Sequence, residues 1–177
     1  MENKVTELLF DMFTRSKRRE LLVSIISSLA KLVSNLTRPS LQLLLASPAL
    51  LNFQIIKFGQ VTQDVAEYYV NFLKALSQKL DEELVHLLYN QVGLSPTKRC
   101  PQFALAWQSI RFYNHPETLI KTTCRNIVLS LFKIKEPHVV SYLGEFPFVT
   151  FYSHITSLVR EHWLHINRYM DKSWVID

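Results

Sequence analysis

Three stretches of the chain echo one another: LLVSIISSLAKL (21–32), YYVNFLKALSQK (68–79) and TCRNIVLSLFKI (123–134). Their apolar residues recur at helical spacing and in the same order. Leu22, Ile25 and Leu29 correspond to Tyr69, Phe72 and Leu76, and these to Cys124, Ile127 and Leu131. The step from Leu22 to Tyr69 is 47 residues and the step from Tyr69 to Cys124 is 55. Helical units recurring at about 40–47 residues mark armadillo and HEAT arrays. Each unit of such an array buries its apolar face only against its neighbours. The pattern predicts an all-α, armadillo/HEAT-like α-solenoid of about three helical repeats. The longer second step is taken up by a loop insertion at 91–101, QVGLSPTKRCP, which concentrates turn residues. The alternative for such a pattern is a compact helical bundle.

The rest of the sequence agrees with a helical reading, because no run alternates cleanly with period two. Helices are predicted over 3–14, 17–36, 41–46, 49–57, 63–80, 82–90, 102–113, 116–134, a short one between Pro137 and Pro147, and a long last one from Phe148 to Met170. In the first, Val5, Leu8, Leu9, Met12 and Phe13 are expected on one face. Arg38-Pro39-Ser40 reads as a break before the third, and Asp81 as the cap of 82–90. The chain has 177 residues, 48% of them hydrophobic, enough for a core without staples. Only three glycines occur, and neither a G-x-G-x-x-G nor a Walker-type lysine loop is present.

Two cysteines, Cys100 and Cys124, are too few for a disulfide framework and suit a reducing compartment. The most apolar stretch, LQLLLASPALLNFQIIKF (41–58), is interrupted by Gln42, Pro48, Asn52 and Gln54, so no membrane span is expected. The N-terminal residues mix Glu2, Lys4, Glu7 and Asp11 among apolar ones, unlike a signal peptide. These features point to a cytoplasmic or peripheral protein.

Residues 111–121, RFYNHPETLIK, pose the question of catalysis most directly. Asn114 suits the end of one helix, Pro116 the first turn of the next, and Glu117 the positive end of its dipole. His115 has no cysteine, acid or histidine at ligand spacing within this corner. The segment therefore reads as a helix–turn–helix corner, not as an active site.

The longer segment FALAWQSIRFYNHPETLIKTTCRNIVLSLFKI (103–134) resembles the signature of the FPL-domain family, the Ema (endosomal maturation defective) proteins. Phe103, Ala104 and Leu105 stand at the triplet that gives the family its name. Ile110, Phe112, Asn114, His115, Pro116 and Glu117 match its corner, and Arg125, Ile127, Leu129 and Lys133 its following helix. AEYYVNFLKALSQKLDEELVHLLYN (66–90) is also similar to the family. The likeness is strongest over 60–134. Trp107-Gln108-Ser109 and Lys121 depart from it, and family members are much longer chains. The resemblance implies a single FPL-like helical-repeat domain over 1–177 and a role in endosome maturation, lysosomal delivery, autophagy and, in animals, mitophagy. It further implies association with endosomal or lysosomal membranes, and as partners Rab-class GTPases, tethering-complex subunits or ubiquitin ligases. No catalytic residue, cofactor or metal ligand is carried over with the motif. Phe103, Leu105, Asn114, His115, Pro116, Glu117 and Arg125 read as structural.

Four further groups remain as candidates. His154, His162 and His165 share the last helix but lack the further ligands a metal site needs. Cys100 follows Lys98 and Arg99, cations that lower a thiol pKa, whereas Cys124 lies on the apolar face of its repeat. Arg15, Lys17, Arg18 and Arg19 form the densest basic run and could meet anionic lipid head groups. Phe148, Phe151, Tyr152 and Trp163 are candidate contacts for a protein partner, because the last helix carries more large apolar residues than one packed face accommodates. The net charge of +5 keeps open a second reading, a basic helical module for anionic membrane or nucleic acid. Nucleic acid is the less expected of the two. The main expectation is a non-enzymatic helical scaffold in endosomal–lysosomal traffic.

Overall fold

Each described segment with helical periodicity forms a helix, and among the described residues there is no strand. A computed structural model describes residues 3–16, 18–47, 63–89, 103–145 and 148–173. The predicted helix at 49–57, the loop at 91–101, Lys17 and Cys100 lie outside the described residues. The helices are α1 (Asn3–Arg15), α2 (Arg19–Asn35), α3 (Arg38–Leu45), α4 (Gln63–Lys79), α5 (Val85–Tyr89), α6 (Ala104–Phe112), α7 (Thr118–Leu131), α8 (Pro137–Leu143) and α9 (Phe148–Ser173). The chain divides into two units, Met1–Val139 and Val140–Asp177.

The echoing segments α2, α4 and α7 build the centre of the first unit. The middle helix α4 packs against α2 and against α7, and α6 lies against α7. All nine corresponding positions are buried, from Leu22 at 8% exposure to Tyr69, Leu76, Cys124, Ile127 and Leu131 at 0%. The shared spacing thus marks one common task, the covering of an apolar face by the neighbouring helix. Full burial of a large aliphatic or aromatic side chain stabilises by about 1.5–3 kcal/mol. The Tyr69 ring sits 5.9 Å from that of Phe112, which ties α4 to α6. Burial raises the Tyr69 pKa, opposed by the charge of Arg111, so the phenol stays neutral.

Some helix starts differ from the sequence reading. The break before the third helix falls at Leu36–Thr37, because α3 starts at Arg38 and has Thr37 at its N-cap. Pro39 sits in the first turn, where a missing N–H costs no helical bond. Asp81 does act as a cap: its Oδ1 accepts the backbone N–H groups of Glu83 (3.1 Å) and Leu84 (2.8 Å). The residues it caps form a turn, and α5 begins only at Val85. Glu136 caps α8 in the same way, its Oε2 accepting the Val139 N–H at 2.7 Å.

The shared apolar face of α1 is covered only in part. Phe13 and Thr6 are buried, whereas Val5, Leu8 and Met12 stand 62%, 60% and 39% exposed. Periodicity sets the width of an apolar arc. Which part of that arc is covered depends on where α2 meets it, and a single sequence does not specify that angle.

In the second unit, the start of α9 is secured to the end of α8. The Tyr142 and Phe148 rings meet edge to face at 5.6 Å, and the Tyr152 hydroxyl donates to the Leu143 carbonyl at 3.1 Å. From Val159 to Met170 every side chain is exposed.

Candidate functional site

The corner at 112–118 is built from its own backbone. The His115 N–H donates to the Phe112 carbonyl at 3.0 Å, closing a turn through Tyr113 and Asn114. The ring of His115 lies 6.3 Å from that of Phe112. Its Nδ1 accepts the N–H of Glu117 at 3.2 Å, which assigns the ring proton to Nε2. Glu117 is the N-cap of α7 through an extended backbone (φ −75°, ψ 122°), and its side chain makes no capping bond. Pro116 therefore precedes the helix instead of occupying its first turn. It holds the chain out of helical geometry just where α7 must begin.

Phe103 and Leu105 are fully buried, and the Phe103 ring meets that of Tyr89 at 6.1 Å. Arg125 is half-buried on α7, and its Nε is enclosed without a hydrogen-bond partner among the described residues. Cys124 is buried, and burial pushes its thiol pKa up to about 12, so it carries no thiolate near neutral pH. The nucleophile and metal ligand of cysteine chemistry is the thiolate.

The histidines of α9 do not converge. His154, His162 and His165 are exposed. His162 Nδ1 is 2.7 Å from the Leu158 carbonyl, one turn back, and the His165 ring lies 5.5 Å from that of Tyr169. Among the described residues no group of three or more histidines, cysteines, aspartates or glutamates could hold a metal ion.

The four aromatic residues proposed to meet a partner are separated by their burial. Phe148 and Phe151 are inside, at 0% and 7% exposure. Tyr152 is half-buried and uses its hydroxyl within the second unit. Trp163, 63% exposed, is the member of the set that reaches solvent freely.

Open clefts lined by charged side chains occur among the described residues of the first unit. One, of about 660 Å³, is lined by Arg38, Ser77, Asp81, Glu83, Ser130 and Lys133, among others. Arg38 bridges two acids there, with Nη1 2.7 Å from Asp81 and Nη2 on the Glu83 carboxylate. These pairs join the start of α3 to the turn before α5, 45 residues apart for Arg38 and Glu83. Another, of about 490 Å³, is lined by Arg18, Arg19, Glu20, Val23 and Tyr68. Of the basic run beside it, Arg15 pairs with Asp11 at 2.7 Å and Arg19 approaches Asp64 to 3.7 Å. The Arg38 bridge has no local signature, because it depends on tertiary approach. The exposure of Val5, Leu8 and Met12 was not legible either, because spacing alone groups them with the buried Phe13.

Among the described residues no helix is long and apolar enough to cross a membrane. The family model FPL, described as "Uncharacterised conserved protein", matches residues 1–132. The chain is 27% identical over 146 residues to the Protein CLEC16A homolog of Drosophila melanogaster, covering 82% of this chain and 13% of that protein. It is 25% identical over 170 residues to Protein CLEC16A of Homo sapiens, covering 94% and 16%. It is 24% identical over 171 residues to Protein TRANSPARENT TESTA 9 of Arabidopsis thaliana, covering 94% and 20%. The chain thus spans a fifth or less of the length of these relatives. No solved structure gives a significant match.

Proposed function

This chain belongs to the FPL family, and we propose that it is a non-enzymatic helical scaffold acting in endosomal–lysosomal membrane traffic and autophagy. The observation that supports the reading is that Phe103, Leu105 and His115 of the family motif are engaged within the fold. Phe103 and Leu105 fill the core, and His115 and Glu117 hold each other in the corner between α6 and α7. A motif used in this way keeps helices in register, and register is what a scaffold must supply. The traffic role itself comes from the likeness of 66–90 and 103–134 to the Ema proteins.

The arrangement we propose is an armadillo/HEAT-like solenoid with α2, α4 and α7 as equivalent helices of successive repeats. Their common buried positions and the packing of α4 between its two counterparts support it. Repeats of this kind present surfaces to other proteins. The expected partners are Rab-class GTPases, tethering-complex subunits or ubiquitin ligases, met on the cytoplasmic side of endosomal or lysosomal membranes.

The test is affinity capture of the tagged chain from its own cells, beside a Leu76→Glu variant that places a charge in the core. Recovery of one of those partner classes by the native chain and not by the variant supports the scaffold. Recovery of none of them by the native chain, or equal recovery by both, overturns it.

A further inference from the structure

Helix α1 carries an apolar stripe that nothing among the described residues of the first unit covers. Val5, Leu8 and Met12 are spaced by three and four residues, so they lie on one face. They are 62%, 60% and 39% exposed, although Phe13 and Thr6 on the adjoining face are buried. The apolar arc of α1 is therefore wider than its contact with the rest of the fold.

The stripe continues into positive charge. Arg15, three residues beyond Met12, extends the same face, Arg18 follows in the connection to α2, and Arg19 opens α2. The pairs Arg15–Asp11 and Arg19–Asp64 are themselves exposed, so these cations remain at the surface. Asp11, three residues from Leu8 and paired with Arg15, borders the stripe on one side, while Glu7 lies away from Val5 and Met12. An apolar stripe flanked by arginines is the arrangement of a helix lying in the plane of a membrane interface. The apolar side chains enter the head-group–acyl boundary, and the guanidinium groups meet lipid phosphates and carboxylates.

We propose that α1 docks this chain on the surface of an anionic lipid bilayer, with Val5, Leu8 and Met12 inserted and Arg15, Arg18 and Arg19 on the head groups. A bilayer fits better than a protein partner because a straight stripe with one basic end matches a flat, uniformly negative surface. The inference goes beyond the scaffold reading and does not depend on it, since lipid binding and protein capture are measured separately.

The experiment is flotation of the full chain with vesicles of phosphatidylcholine alone and of equal parts phosphatidylcholine and phosphatidylserine. Binding to the second and not the first is expected, weakening as salt is raised. V5Q/L8Q should abolish it. Neutralising Arg15, Arg18 and Arg19 to glutamine should weaken it by about fivefold per charge removed. Both variants alter exposed positions, and matching urea midpoints show that they fold. V159Q, on the exposed part of α9, should bind like the native chain. Absence of binding to the phosphatidylserine vesicles overturns the proposal, as does undiminished binding by folded V5Q/L8Q or equal loss in V159Q. A native dimer that V5Q/L8Q converts to a monomer would assign the stripe to a second copy instead.

Discussion

The backbone N–H of Glu117 donates to the imidazole Nδ1 of His115 at 3.2 Å, across Pro116. As the N-cap of α7, Glu117 has no helical acceptor for its N–H, and the histidine ring supplies one that orients the chain entering α7. The histidine that looks most like a catalytic residue is thereby committed to a backbone bond. His115→Ala should lower stability by about 0.5–1.5 kcal/mol, the usual net worth of one hydrogen bond. His115→Asn should recover part of that loss, because an asparagine oxygen accepts from the N–H two residues on. Urea unfolding of the three proteins checks both values. A loss well beyond this range would mean that the ring does more than hold the turn.

Cys124 lies at 0% exposure with its thiol pKa pushed up to about 12 by burial. In a Cys100→Ser background the native chain should resist a thiol-specific reagent at neutral pH and react fully once denatured. Rapid labelling of the folded chain would contradict the packing of α7 against α4.

Leu76 and Leu129 stand at helical positions of similar character, yet Leu76 is buried and Leu129 is 59% exposed. Leu76→Ala should cost about 2–5 kcal/mol, from lost burial and the cavity left behind. Leu129→Ala should stay within about 0.5 kcal/mol of the native value. Denaturant midpoints at matched slopes decide the comparison, and equal costs would disprove the assigned face of α7.

Glu136 responds to two opposing influences. Burial favours its neutral form, but the backbone N–H groups of Val139 and His138 and the nearby histidine charges outweigh that and hold its pKa below the usual carboxylate value. A carboxylate with a lowered folded pKa contributes stability above its unfolded value, about 4.3, and loses it as pH falls through the folded value. The native chain should therefore lose stability more steeply with acid than Glu136→Gln. Parallel urea midpoints for the two proteins across that acid range would refute the cap.

Much of the fold was legible because helical spacing and punctuation are local properties. The three echoing segments located α2, α4 and α7 and named their buried residues, since each burial face is written in the order of apolar side chains. The corner at His115 was legible for the same reason, although the start of α7 shifted to Thr118 once Glu117 proved to be its N-cap. The aromatic candidates on α9 divided as they did because burial follows position along that helix. Its first turn is secured to α8 by Tyr142 and Tyr152, whereas Trp163 lies four turns further on.

Sequence by itself determined that this chain is helical, where its apolar faces lie, and which family it belongs to, because periodicity, proline placement and motif are carried by neighbouring residues. Only tertiary structure decided which half of the α1 arc is covered, and that Arg38 reaches Asp81 and Glu83 from the far side of α4 in sequence. Both depend on the angle and depth at which one helix meets another. Those quantities follow from the packing of many side chains at once, and no single stretch of the chain encodes them.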